Sequence, residues 1–191
     1  MRYNPELHHR RSIRLKGYDY SLSGAYFVTV CSYRKERIFE DIIVASIIKE
    51  QWQNLPRKFS CIELDEFVIM PNHIHFILWI KDVGATLAVA PNNETTSKRA
   101  GTSPAPTIGN IVGASKSMVS TEYLKWINQN NAERSAILWQ RNYYEHIIRN
   151  EESLNRIRNY IINNPLKWEE DIENPLNWNK GKAKDYYDRI F

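Results

Sequence analysis

Two histidines lie near the middle of an apolar stretch, FVIMPNHIHFILWI, at residues 67–80. In an extended strand alternate side chains share a face, so His73 and His75 would stand side by side. Neutral imidazoles at this spacing could bind one divalent metal ion together. The alternative is a half-exposed strand whose outer face carries polar residues, because two ligands alone do not define a site.

The same alternation predicts how this strand meets the core. Ile77 and Trp79 would share the face of the histidines. The opposite face would be wholly apolar and would hold the strand on a core through Ile74, Phe76, Leu78 and Ile80.

A second pair of chemically able residues lies in the segment NEESLNRIRNYIINNP, residues 150–165. Its apolar residues recur at helical spacing, and Tyr160 and Asn164 lie four apart, one turn from each other on a helix. A phenol and an amide oxygen so arranged could both reach a metal ion held by the histidines. The alternative is an ordinary amphipathic helix with a half-buried tyrosine.

The elements that must position these residues follow the order β-α-β-β-α-β. Strands are predicted at 25–33, at 61–70 and over the histidine segment, and 136–148 would serve as a fourth. Helices are predicted from about Asp41 to Pro56, after a Thr107 cap, and from Asn150 to Asn164. This order is the ferredoxin-like plan, an α+β fold with two helices on one face of a four-stranded antiparallel sheet. The third helix is then an addition that covers the second face, where the histidines would lie.

Composition favours a single cytosolic domain with a moderate core. The 191 residues are 42% hydrophobic and 25% charged, and no apolar run reaches the length of a membrane span. The N-terminus lacks the apolar stretch of a secretion signal, so we expect no membrane partner. Cys31 and Cys61 fall in predicted strands and are expected to be free thiols.

Positive charge is concentrated at one end of the chain, which has a net charge of +4 overall. Residues 1–37 contain eight Lys or Arg and three acidic residues, a local net charge of +5, and five tyrosines lie among them. Cations for phosphates and rings for unstacked bases are what single-stranded nucleic acid requires. A solvated basic tail is the alternative.

The chain is expected to divide into three parts. Residues 1–24 would form a basic N-terminal arm, 25–168 the main domain, and 169–191 a C-terminal tail. Residues 81–107 are rich in Ala, Thr, Ser, Pro and Asn, which predicts a flexible insertion inside the domain.

Three blocks of sequence carry a family resemblance. PNHIH after a strand, then LWQRNYYEHIIRN and then YIINNPLKW resemble the REP-associated tyrosine transposases, a branch of the single-tyrosine HUH transposases. The opening RRSIRLKGYDYSLSGAYFVTV is also similar to that family. The resemblance covers most of residues 10–168, with 81–107 as an insertion between matching segments.

The resemblance implies an activity and its residues. His73 and His75, with Asn164, would bind a divalent cation, Mg²⁺ or Mn²⁺, and Tyr160 would be the nucleophile. The enzyme would cleave and rejoin single-stranded DNA beside REP-type hairpins through a covalent 5′-phosphotyrosine intermediate. It would act in the bacterial cytoplasm at the nucleoid, as a monomer or homodimer. The candidates for DNA contact are Arg10, Arg11, Arg14 and Lys16.

Other interpretations stay open from sequence. A non-catalytic nucleic-acid-binding module would show exposed aromatic residues on the two central strands. A domesticated transposase would bind hairpins and move nothing, and a metal-dependent hydrolase using water would need an acidic ligand or base that the sequence does not single out. Tyr143 and Tyr144 compete with Tyr160 as nucleophile. Glu145 and His146 are either supports for the metal ligands or ordinary surface and core residues.

Overall fold

A four-stranded antiparallel sheet organises the residues that the computed structural model describes, 19–81, 106–177 and 186–187. The strands are β1 (Gly24–Cys31), β2 (Ile62–Ile69), β3 (His73–Ile80) and β4 (Tyr144–Ile148). Their order across the sheet is β2-β3-β1-β4, the order of the ferredoxin-like plan. The predicted α+β class is therefore confirmed, and β3 lies inside the sheet between β1 and β2.

Three helices complete the fold: α1 (Ile42–Lys58), α2 (Ile108–Asn130) and α3 (Glu151–Asn163). Short 3₁₀ helices occupy Tyr33–Lys35, Ile38–Glu40 and Asn164–Glu170. Each α-helix begins where a side-chain cap predicts it, because Asp41, Thr107 and Asn150 each accept hydrogen bonds from the first free backbone N–H groups.

Two predicted boundaries were wrong. Helix α1 continues past Pro56 to Lys58, since a proline so near the last turn removes little hydrogen bonding. Strand β4 comprises only five residues rather than most of 136–148. The segment before it joins the sheet through one isolated bridge between Ser32 and Trp139.

The two faces of the sheet carry different layers. Helices α1 and α2 pack on one face over a large apolar core that includes Val28, Phe76 and Leu78. Helix α3 covers the other face with Leu154, Ile157 and Ile161 against Phe27 and Ile77. The predicted division of β3 into an apolar face and a histidine face is confirmed.

A β-bulge ties α3 to the edge strand β2. The pairing register shifts between Leu64 and Phe67, and Asp65 there receives two hydrogen bonds from Arg158 of α3, at 2.9 and 2.6 Å. Trp79 Nε1 donates a third at 2.8 Å. Burial acts to raise the pKa of Asp65, but the hydrogen bonds from Arg158, Trp79 and the backbone hold it below its usual value.

Some predicted features lie outside the described residues. These are the basic residues Arg10, Arg11, Arg14 and Lys16 and nearly all of the 81–107 insertion. Within the described ranges no helix is both long and apolar enough to cross a membrane. Cys31 and Cys61 are free thiols.

Candidate metal and nucleophile site

The two histidines of β3 are fully buried and face each other across a short distance. Their Nε2 atoms lie 3.0 Å apart, and both side chains are 0% exposed. The half-exposed strand considered from sequence is therefore excluded. Two nitrogens this close are near enough to bind one metal ion together.

Neighbouring side chains fix the orientation of both imidazoles. Asn72 Nδ2 donates to the backbone carbonyls of Lys35 and Glu173, at 3.3 and 2.8 Å, so its Oδ1 is turned toward His73 Nδ1 at 2.8 Å. His73 Nδ1–H therefore donates, and its Nε2 keeps a lone pair. The Thr29 hydroxyl lies 2.8 Å from His75 Nδ1 and can accept in the same way. Partners of this kind direct Nε2 toward a metal.

A buried carboxylate completes a metal-type cluster with the histidines. Asp171 lies directly after the 3₁₀ helix Asn164–Glu170, and its Oδ2 is 3.9 Å from His73 Nε2. One ligand atom from each of His73, His75 and Asp171 lies within 4.8 Å of the others. Sequence reasoning missed Asp171, because the expected domain ended at 168 and no spacing links this aspartate to the histidines.

The Tyr160 hydroxyl reaches this cluster from α3. It lies 3.1 Å from His75 Nε2, and the two rings are 5.2 Å apart. The Phe27 ring packs against both, at 5.2 Å from His75 and 6.1 Å from Tyr160. The phenol is therefore held beside the histidine pair by an apolar wall.

Asn164 ends α3 one turn after Tyr160 and is also buried. Its Oδ1 and the Asp171 Oδ2 are buried and have no hydrogen-bond partner among the described residues. Buried polar oxygens nearly always have a partner, so two without one beside two histidine lone pairs call for an explanation. A divalent cation between the two histidine nitrogens and Asp171 Oδ2 would satisfy those three atoms, with Asn164 Oδ1 as a candidate fourth ligand, and the donor set of imidazoles, carboxylate and amide suits Mg²⁺ or Mn²⁺.

Burial sets the protonation of the site. It lowers the pKa of His73 well below its usual value, with help from the neighbouring His75 and Lys35, and lowers that of His75 to about 3. It raises the pKa of Asp171 to about 6 and that of the Tyr160 phenol well above its usual value. At neutral pH the imidazoles are thus neutral and able to act as ligands, while the phenol keeps its proton.

The competing residues lie elsewhere in the sheet. Tyr143 packs on the core beneath α1 and α2, whereas Tyr144 faces α3 and stacks on Tyr187 at 4.5 Å. Glu145 pairs with Val28 on the face opposite the histidines, so it cannot support the metal ligands. His146 pairs with Phe27 on the histidine face.

The sheet offers no open aromatic platform. Phe27 on β1 is fully buried, and His73, His75 and Ile77 on β3 are buried beneath α3 and the residues that follow it. A module that stacks unpaired bases on its central strands needs those rings exposed. The described part of this chain does not meet that requirement.

The chain is similar to solved structures and to a protein known from its sequence, but it matches no protein-family model. Two solved structures are 17% identical in sequence: a REP-associated tyrosine transposase bound to a REP hairpin, and a proposed transposase from Deinococcus radiodurans. The first has a TM-score of 0.49, covering 81% of this chain and 74% of that one. The second has a TM-score of 0.46, with 78% and 95% covered.

The sequence relative is an uncharacterized protein of Haemophilus influenzae. It is 40% identical over 178 residues, which are 89% of this chain and 96% of the relative. At this identity and coverage the two proteins share one architecture over nearly their whole length. The chain belongs to the same family as that Haemophilus influenzae protein.

Proposed function

We propose that this protein is a metal-dependent transposase that cleaves and rejoins single-stranded DNA through a covalent bond to Tyr160. One observation carries the proposal: the Tyr160 hydroxyl lies 3.1 Å from a histidine whose Nε2 is 3.0 Å from that of a second histidine. A nucleophile beside two histidines that could bind one metal ion suits attack on a phosphodiester. The family resemblance of the three sequence blocks agrees with it.

The proposed metal ligands are His73, His75 and Asn164, to which the buried Asp171 adds a fourth group. An Mg²⁺ or Mn²⁺ ion held by these residues would supply positive charge to neutralise and orient the scissile phosphate. His73 and His75 stay neutral and contribute no charge, while Asp171 as a carboxylate would offset one positive charge. Asn164, one turn from Tyr160, links the position of the nucleophile to that of the ligands.

Tyr160 carries the covalent step in this proposal. Its oxygen bonds to phosphorus, the bond from phosphorus to the 3′ oxygen breaks, and the phenol proton is lost while the leaving oxygen takes one up. The products are a 5′-phosphotyrosine ester and a free 3′ hydroxyl. Since the ester retains the phosphodiester bond energy, a 3′ hydroxyl can reverse the step and rejoin strands without ATP.

The substrate class rests on the resemblance and on charge. Single-stranded DNA next to a REP-type hairpin is the proposed substrate, with Arg10, Arg11, Arg14 and Lys16 as proposed contacts. The excess of positive charge over residues 1–37 suits phosphate binding. Proposals of monomer or homodimer, and of a place at the nucleoid, rest on the resemblance alone.

A trapping experiment tests the function. The full chain is incubated with Mn²⁺ and single-stranded DNA that carries a hairpin, and covalent adducts are separated on a denaturing gel. We expect an adduct with the unsubstituted protein and none with Tyr160→Phe, which loses only the hydroxyl. Tyr143→Phe and Tyr144→Phe are matched controls that should form it. Peptide mapping of the adduct to another tyrosine would overturn the assignment.

A second candidate function follows from Asp171. A buried acidic group beside two histidines also suits a metal-dependent hydrolase that activates water, the alternative for which sequence offered no acid. The same experiment separates the two. A hydrolase releases cleaved DNA with no protein attached, and Tyr160→Phe leaves its rate unchanged.

A further inference from the structure

Lys35 lies beside the candidate site in an unusual backbone conformation. It follows β1, and both Arg34 and Lys35 are left-handed, with φ of 53° and 57°. Such a conformation is strained for a non-glycine residue and is found where surrounding structure enforces it, often at functional sites. Asn72 connects this turn to the site, because its amide nitrogen donates to the Lys35 carbonyl while its oxygen orients His73.

The Lys35 ammonium is largely buried and lies against the Glu173 carboxylate. Its side chain is 13% exposed, and Nζ lies 2.6 Å from Glu173 Oε2, which is equally buried. A buried ion pair contributes little net stability, because desolvation offsets the attraction. The positive charge of Lys35 also acts on the site, since it helps burial and His75 to lower the pKa of His73. The position and the charge of Lys35 therefore indicate a role for this residue in the chemistry of the site.

Glu173 occupies a small anion-binding position next to the histidines. Tyr187 Oη donates to its Oε1 at 3.0 Å, and Cys31 Sγ lies 3.4 Å from Oε2, so three donors including Lys35 converge on one carboxylate. Cys31 is also the residue paired with His73 across the sheet. A phosphodiester presents the same features as this carboxylate, two oxygens that share one negative charge.

We propose, on the basis of the proposed function, that Lys35 binds a phosphodiester oxygen of the DNA strand at this position. Glu173 holds the position when DNA is absent, and the phosphate replaces it. The exchange requires movement of the turn after the 3₁₀ helix Asn164–Glu170, where Glu173 N donates to Asp171 Oδ1 at 2.6 Å and the Glu173 carbonyl accepts from Asn72 Nδ2 at 2.8 Å. Lys35 is thereby a substrate-binding residue rather than a structural one.

The test compares Lys35→Gln with Glu173→Gln, because the two roles predict different patterns. If Lys35 binds phosphate, Lys35→Gln weakens binding of hairpin-bearing single-stranded DNA and slows adduct formation at least tenfold. It also lowers the slope of log affinity against log salt by about one. Glu173→Gln removes the competing anion and tightens binding, and Lys35→Arg retains most activity. Lys125→Gln, which breaks an exposed ion pair with Glu122 on α2, is the matched control and changes neither measurement.

A purely structural ion pair gives the opposite pattern. Lys35→Gln and Glu173→Gln then weaken DNA binding in the same direction and in proportion to their loss of thermal stability, and the proposal falls. It also falls alone if the unsubstituted protein forms the adduct and Lys35→Gln matches it. If no adduct forms but DNA binds, the proposed function fails and the salt slope still decides on Lys35. Absence of any DNA binding overturns both.

Discussion

The two faces of the sheet differ in what their side chains do. Against α1 and α2 lies an apolar core of more than twenty buried residues, in which aromatic rings such as Trp52 and Phe76 pack 4.7 Å apart. Against α3 the apolar cluster is small, and it adjoins two imidazoles, a carboxylate and an amide. The carboxylate and the amide each have one buried oxygen without a hydrogen-bond partner among the described residues. The first face supplies stability. The second gives up packing and hydrogen bonding to hold groups that would bind a cation.

Loss of a histidine is the largest functional effect expected from the second face. His73→Ala should abolish Mn²⁺-dependent cleavage and the rise in Tm on adding Mn²⁺, because one of the paired Nε2 ligands is gone. Hairpin binding should be largely retained. Both are measured with the full chain, by gel assay and by thermal melting. A His73→Ala protein that cleaves as well as its parent would end the metal-site proposal.

Loss of a core ring is the largest stability effect expected from the first face. Phe76 lies on the same strand as the histidines, faces the other way and is 1% exposed. Phe76→Ala should lower the free energy of unfolding by about 3–5 kcal/mol, as the ring leaves a cavity. Denaturant unfolding measures it. A loss below about 1 kcal/mol would mean that the faces do not divide stability and function in this way.

A substitution on the second face should instead stabilise the metal-free protein. Burial raises the pKa of Asp171 to about 6. Between about pH 4 and pH 6 the folded protein therefore keeps a proton on Asp171 that the unfolded chain has released. This group's contribution therefore becomes unfavourable as pH rises from about 4 through 6 and stays so above. Asp171→Asn should remove that penalty, about 2–3 kcal/mol at neutral pH, while lowering the Tm rise given by Mn²⁺.

The measurement for Asp171 is denaturant unfolding in a chelator at pH 4.5 and 7.5. Glu122→Gln serves as an exposed control and should change neither value. Equal stability of Asp171→Asn and its parent at pH 7.5 would contradict the prediction. A larger Mn²⁺ shift in the variant would remove Asp171 from the metal ligands.

The smallest expected effect concerns the contact between Arg158 of helix α3 and Asp65 of the edge strand β2. Arg158→Met keeps the packing of the side chain and removes both hydrogen bonds to Asp65, which should cost about 1 kcal/mol of stability. It should also slow adduct formation several-fold, since α3 carries Tyr160. Arg156→Met, from an exposed ion pair with Glu152 on the same helix, is the matched control. Equal rates for the two variants would show that the Asp65 contact does not aim the nucleophile.

Local sequence patterns were enough to predict side-chain directions and contacts among residues that are close together in the chain. The alternation in β3 assigned His73 and His75 to one face and Phe76 to the other, because side-chain direction in a strand is fixed by position. The caps Asp41, Thr107 and Asn150 located the helix starts for a similar local reason. The fold order then followed from element types, and it brought Tyr160 to the histidines.

Groups that reach the site from irregular segments were not predictable in this way. Asp171 follows a 3₁₀ helix, and Lys35 lies in a left-handed turn, where no periodicity links sequence position to direction. The only local pattern in this segment is a weak repeat, NPLKW at 164–168 and NPLNW at 174–178, which by itself predicts no function. The first Asn of each repeat, Asn164 and Asn174, is buried, and Asp171 lies between them.

Strand β3 is hydrogen-bonded on both sides, to β1 and to β2, while Asp171 and Glu173 belong to a turn outside the sheet whose backbone N–H groups donate only to nearby residues. Backbone amides of β3 should therefore exchange with deuterium only through opening of the whole sheet, and those of the turn through small openings. His73 and His75 thus belong to the slowest-exchanging part of the chain and Asp171 to a fast one. Added Mn²⁺ should slow deuterium uptake in the turn at 171–174 and leave uptake in β3 unchanged. The two histidines would then be rigid before any ion arrives, and the turn would set the residence time of the ion.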